Sequence, residues 1–123
     1  MEREKSTVEK GMVGENKACL YLVEHGYKII IRNYREVCGE IDIIAYKDNT
    51  LVFCEVKRLP AGDLETLAHE VNLRKQQKII KTAKLFIQKY RQYSKDYIRF
   101  DVLAVDVPGL EPVYHIVNAF LES

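Results

Sequence analysis

The tightest constraint on how this chain folds lies in "EIDIIAYKDNTLVFCEVKR", residues 40–58. Two apolar runs, 41–47 and 50–57, flank Asp48-Asn49, residue types that turns favour. The segment therefore reads as a hairpin. A two-residue turn at 48–49 and a four-residue turn at 47–50 give the same pairing: Tyr46 against Leu51, Ile44 against Phe53 and Asp42 against Glu55. Both strands carry apolar residues at successive positions, and strands buried on both faces need a covering layer on each side. Charges inside such strands call for a reason. Asp42, Glu55 and Lys57 are those charges.

The rest of the chain supplies the layers. Residues 7–25 read as a helix, with Thr7 as N-cap and Gly26 as its stop. Segment 27–34 has strand composition, 37–40 is a break, and 58–71 reads as a loop opened by Pro60 and Gly62. Asn72 caps a long helix over about 73–93, and strands follow at 96–107 and 112–120, separated by Pro108-Gly109. The order α-β-β-β-α-β-β predicts an α/β fold with a mixed five-stranded sheet flanked by helices. At 123 residues, with 47% apolar and 30% charged residues, the chain is expected to fold as one domain spanning 1–123 without staples. Three dispersed cysteines with no CxxC argue against a zinc site or disulfide framework, and fit a reducing, cytoplasmic setting. No membrane-length apolar run and no signal-peptide pattern is present, so no membrane partner is expected.

Period-two alternation puts Glu55 and Lys57 on one strand face and Cys54 and Val56 on the other. If Asp42 faces Glu55, two acids stand about 4.5–5.5 Å apart at Cβ, an arrangement that is destabilising unless relieved. Such a pair shares a proton, raises one pKa or binds a cation. Carboxylate oxygens suit Mg²⁺, and with a lysine beside them they match metal-assisted phosphodiester hydrolysis. The plainer alternative is a cross-strand ion pair on a solvated face. Glu15 is a further candidate. It falls in the apolar stripe Val8, Met12, Cys19, Leu22, Val23 of the first helix, beside Gly11 and Gly14, where the backbone can approach another element closely. A glutamate at the stripe's edge reaching water, or pairing with a lysine, is the ordinary alternative.

The long helix carries the partner signal. Between Glu70 and Asp96 there is no acid, whereas Arg74, Lys75, Lys78, Lys81, Lys84, Lys89, Arg91 and Lys95 are basic. Ile79, Ala83, Phe86, Ile87 and Tyr90 form the expected buried stripe, so most of the bases face outward, and such a face binds phosphate backbones without sequence preference. Lys75, one turn before Ile79, is placed to turn inward. A solvated face is the alternative. His25, His69 and His115 show no ligand spacing, "GMVGEN" lacks the Gly-Lys-Ser/Thr of a phosphate loop, and Cys54 reads as core.

The motifs "GMVGENKA" (11–18), "YKIIIRNYR" (27–35), "GEIDIIA" (39–45), "LVFCEVKR" (51–58), "VNLRKQQKI" (71–79) and "RFDVLAV" (99–105) occur in the order seen in the YraN family, which the chain resembles over nearly its whole length. That family of small bacterial proteins is similar to archaeal Holliday junction resolvases. The resemblance implies a restriction-endonuclease-like fold, with Glu15, Asp42, Glu55 and Lys57 as metal and catalytic set, the Val56 carbonyl as a further metal ligand, and Lys75 at a basic helix-start position. Cys54 and the segment 58–70 depart from the family pattern, and that segment bears on substrate choice. The expectation is a Mg²⁺- or Mn²⁺-dependent endonuclease for DNA, branched DNA included, with RNA left open. Arg74, Lys75, Lys78 and Lys81 would contact nucleic acid. The alternatives are a nucleic-acid-binding protein with an idle site, and an interaction protein whose charges pair at a homodimer surface.

Overall fold

The computed structural model describes residues 7–122, with side chains from Met12 onward. The Thr7 cap, Val8 and Gly11 lie outside the described side chains. The elements are α1 (Thr7–Glu24), β1 (Lys28–Glu36), β2 (Gly39–Lys47), β3 (Thr50–Arg58), α2 (Leu64–Glu70), α3 (Leu73–Lys89), a 3-10 turn at Arg91–Tyr93, β4 (Tyr97–Val105) and β5 (Val113–Phe120). The strands form one sheet in the order β1-β2-β3-β4-β5. Only β3 and β4 run parallel, and the other neighbours are antiparallel. A parallel pair needs a crossover, and α3 lies within it. The architecture is the mixed α/β sheet expected from the sequence and is consistent with a restriction-endonuclease-like fold.

Two cores sandwich the sheet. Ala18 and Leu22 of α1 pack on Ile43, Ala45, Val52, Cys54 and Leu103. On the other face Ile79, Ala83 and Phe86 of α3 pack on Ile44, Leu51, Phe53 and Phe100, joined by Leu67 and Val71 from around α2. The β2–β3 turn is the two-residue alternative: Asp48 and Asn49 both hold positive φ (51° and 57°), the pairing a tight hairpin turn of the primed type requires. Gly26, at φ +86°, ends α1 as expected. Among the described residues no helix is long and apolar enough to cross a membrane.

Three readings need correction. Segment 58–71 is not all loop. Asp63 accepts the Thr66 N–H at 2.9 Å and starts α2, which sets Leu67 into the core, so a side-chain cap and apolar spacing outweigh the nearby proline and glycine. The long helix stops at Lys89, and Tyr90 is exposed rather than part of the buried stripe, while Thr82 is buried within it. On α1, Met12 and Val23 are exposed, and the buried line runs through Gly14, Glu15, Ala18 and Leu22. One glycine has a clear spatial reason. A Cβ on Gly14 would lie 3.2 Å from the Arg58 Cβ, so α1 crosses the end of β3 in close contact there.

Candidate active site

The hairpin pairing holds from Lys47–Thr50 through Ile44–Phe53 to Ile43–Cys54, as the turn chemistry requires. The expected next rung, Asp42 against Glu55, is not formed. Each strand continues with its outer neighbour instead. Ile41, Glu40 and Gly39 stay paired with Tyr34, Arg35 and Glu36 of β1, while Glu55 to Arg58 stay paired with Val102 to Val105 of β4. The sheet therefore forks after Ile43 and Cys54. Asp42 stands in the fork, and its Oδ2 accepts the Val56 N–H at 2.8 Å.

A break in alternation accompanies the fork. Ile43 belongs to the α1-side core and Ile41 to the α3-side core, although strict alternation would put both on one face. The same happens across the ladder. Arg32, paired with Ile43, reaches Glu15 of α1, whereas Tyr34, paired with Ile41, lies in the α3-side core. Between them Asn33 adopts φ +53°, a left-handed conformation that Asn tolerates better than most residues. The pleat skips a step in both strands, and Asp42 lines a cleft of about 590 Å³ with Glu15, Val56 and Arg58 under α1. Local turn chemistry fixes the register, but it carries no information about where two strands part.

Glu55 and Lys57 share the α3 side, in step with Phe53, as alternation requires. Glu55 Oε1 lies 3.4 Å from Lys75 Nζ and 3.7 Å from Lys57 Nζ, so Lys75 does turn inward. The Asn72 side chain caps α3 by accepting the Lys75 N–H at 3.0 Å, which fixes where that lysine begins. Glu15 Oε1 accepts from Arg32 Nε at 2.8 Å and from Asn33 Nδ2 at 3.0 Å. Arg74, Lys78 and Lys81 are exposed on α3 and have no acidic partner among the described residues, whereas Lys84 pairs with Glu122 and Lys89 with Glu36.

The electrostatics single out Asp42. Burial, with the Glu55 and Glu15 charges adding to it, pushes its carboxyl up to about 7 against the pull of the Val56 N–H and Lys75. Burial also raises Glu55, and Lys75 and Lys57 offset that only in part. Asp42 thus senses one acid on each side of the sheet, because the fork removes the strand ladder that would separate them. A carboxylate shielded from water, with two acids near it and no ion pair of its own among the described residues, offers oxygen donors of the kind a hard divalent cation takes. Among the described residues no three Asp, Glu, His or Cys side chains stand close enough together to hold a metal ion between them. Each acid has its own partner: Arg32 and Asn33 on Glu15, the lysines on Glu55, a single N–H on Asp42.

Residues 14–105 match the family described as "Uncharacterised protein family UPF0102". The chain belongs to the UPF0102 family. This is the YraN group to which the sequence motifs point, and the matched span holds Glu15, Asp42, Glu55, Lys57 and Lys75. The chain is 46% identical over 95 residues to a UPF0102 protein of Treponema pallidum, covering 77% of this chain and 75% of that one. It is 41% identical over 112 residues to a UPF0102 protein of Sulfurihydrogenibium, covering 91% and 94%, and 43% identical over 113 residues to one of Clostridium botulinum, covering 89% and 92%. UPF0102 membership thus rests on near full-length similarity to two of these relatives.

A second charged cluster in this UPF0102 chain escaped the sequence reading. Asp101 is fully buried on β4 and accepts Arg99 Nε and Nη2 at 2.9 and 2.8 Å and the Asn118 N–H at 2.9 Å, with His115 Nε2 at 2.7 Å. Burial alone would raise Asp101, but His115, Arg99 and the Asn118 N–H outweigh it and hold the acid below its ordinary range. The signal was available: "RFDVLAV" places a carboxylate in a strand that is apolar on both faces.

Proposed function

We propose that the fork is the site of a divalent-metal-dependent endonuclease that hydrolyses phosphodiester bonds in DNA, branched DNA included. The observation that carries this reading is Asp42, half-buried near Glu15 and Glu55 with a raised carboxyl and, among the described residues, one N–H donor, next to a lysine pair. Asp42, Glu55 and Glu15 would hold Mg²⁺ or Mn²⁺, with the Val56 carbonyl added on the strength of the family resemblance. The ion would polarise the phosphate and lower the pKa of a bound water. The chain's own groups prepare the site. Arg32 and Asn33 aim the Glu15 carboxylate, Lys75 and Lys57 hold Glu55, and either ammonium can donate to a phosphoryl oxygen as charge builds on it. Arg74, Lys78 and Lys81 offer an exposed basic face from which a nucleic-acid backbone approaches.

The test is incubation of purified protein with duplex, single-stranded and four-way-junction DNA, and with RNA, in Mn²⁺, Mg²⁺ or EDTA. Metal-dependent cleavage lost in Asp42→Ala and Glu55→Ala is the expected result. Cleavage that persists undiminished in both variants removes the fork from the mechanism. A second reading, a nucleic-acid-binding protein with an idle site, is favoured by the ion pairs that already occupy Glu15 and Glu55. Salt-dependent binding with no cleavage in any metal would select it.

A further inference from the structure

We infer that Arg58 is a phosphate clamp on the α1 side of the fork, holding a phosphodiester of the nucleic-acid strand next to the one that reaches Asp42. This deepens the nuclease reading and rests on it for the identity of the ligand strand. Arg58 is the last residue of β3, in step with Val56, and lines the same cleft as Asp42 and Glu15. Its stem is fixed under α1, where Gly14 leaves room: the Arg58 Cβ and Cδ would lie 3.2 and 3.5 Å from any Cβ on that glycine. Its Nε donates to Asp106 Oδ2 at 2.8 Å. Asp106 is in turn held at φ +59° just past β4, and its Oδ1 accepts from Lys17 Nζ at 2.8 Å.

That arrangement uses one of the five guanidinium N–H donors. Among the described residues, neither Nη of Arg58 has a partner, and Arg58 forms no ion pair with Asp42 or Glu15, although all three line one cleft. Arg32, the other arginine anchored to α1, is committed through Nε to Glu15 and through Nη2 to Asn16. A guanidinium held by Nε, with its outer edge open, has the fork shape that takes two phosphate oxygens at once. The plainer role is an ion pair that pins α1 to the ends of β3 and β4. Pinning requires the Nε contact and no donor edge in the cleft.

The test measures binding of labelled single-stranded and duplex oligonucleotides in EDTA across a range of salt, beside thermal unfolding and Mn²⁺ calorimetry. Arg58→Ala is expected to weaken binding about tenfold and to lower the salt slope by about one charge. Arg58→Lys restores the slope and the unfolding temperature but leaves affinity about threefold below wild type, because a point charge does not reproduce the bidentate edge. Mn²⁺ binding is retained in both variants. Binding of wild type and Arg58→Ala with equal affinity and slope overturns the clamp, as does a lysine variant restored in every respect. Wild type that binds no oligonucleotide even at low salt overturns it as well. Absence of Mn²⁺ binding or cleavage in the wild type, with Arg58-dependent binding intact, instead removes the nuclease reading and leaves the clamp standing. Should Arg58→Ala fail to fold, Arg58→Lys alone decides through the gap between affinity and slope.

Discussion

Replacing Asp42 with asparagine should stabilise the metal-free protein at pH 8 and leave it unchanged at pH 4. The carboxyl titrates near 7 in the folded protein, whereas an unfolded aspartate titrates near ~3.9. Between those values the folded state keeps a proton that the unfolded chain releases. The group's favourable contribution is therefore complete below about pH 3.9 and is lost as pH rises through about 7. Roughly three pKa units at about 1.4 kcal/mol each set a ceiling near ~4 kcal/mol. The side chain is only half-buried, and screening brings the expected gain to about 2 kcal/mol. Asparagine keeps an oxygen for the Val56 N–H, so the variant removes charge without removing that bond. For a domain of this size, about 2 kcal/mol corresponds to roughly 6–12 °C in unfolding temperature. Thermal and urea unfolding in EDTA at both pH values measures it, and added Mn²⁺ should then raise the wild type while leaving Asp42→Asn where it was. An Asp42→Asn protein no more stable than wild type at pH 8 in EDTA would mean that the Asp42 carboxyl is not raised in the folded protein.

Other perturbations separate backbone from charge. Asn33→Ala forces a side chain without a local hydrogen bond into the left-handed region and should cost about 1–2 kcal/mol, whereas Asn33→Gly restores the backbone. Urea unfolding should rank glycine above alanine while calorimetry shows weaker Mn²⁺ binding in both, since each loses the amide on Glu15. Asp101→Ala leaves Arg99 and His115 without their buried acceptor and should cost about 3–5 kcal/mol by denaturation. In the wild type the lowered Asp101 contributes stability that is present above about pH 3.9 and lost as pH falls through its folded value, opposite in sign to Asp42. Gly14→Val overpacks the crossing of α1 on Arg58 and should lose roughly 1–3 kcal/mol in thermal unfolding.

What the sequence made legible was local. The Asp48-Asn49 turn set the pairing of β2 and β3, and the run of bases with Asn72 before it set α3 and the inward Lys75. Charges in strands apolar on both faces flagged Asp42 and Glu55, and the same rule applied to Asp101 would have flagged that residue too. The fork itself was not legible. It depends on β2 preferring β1 and β3 preferring β4 at the same level, and no period within one strand encodes a choice between two neighbours. The left-handed Asn33 is of the same kind: "IRNYR" reads as uninterrupted strand, and only the opposing rung and Glu15 give the asparagine its conformation. Arg58 looked like one more base at a strand end, because its meaning comes from Asp106 and Gly14, 48 and 44 positions away in the chain.

Asp101, fully buried, and Asp42, half-buried, show how one fold treats strand carboxylates in two ways. Asn118 turns left-handed at φ +57° and points its N–H at Asp101, where Arg99 and His115 complete the shell, and the acid is held low. Asn33 turns left-handed at φ +53° beside Asp42, but its amide goes to Glu15, and among the described residues Asp42 is left with one N–H and two acidic neighbours. Backbone strain of this order persists only where the surroundings enforce it. In the first case it satisfies the nearest carboxylate, and in the second it serves Glu15 and leaves Asp42 without an ion pair among the described residues. A structural carboxylate has no use for the second arrangement, since replacing it with asparagine would keep the hydrogen bond and relieve the repulsion. Keeping aspartate at position 42 makes physical sense if a cation from solution completes the shell that Asp101 receives from its own chain.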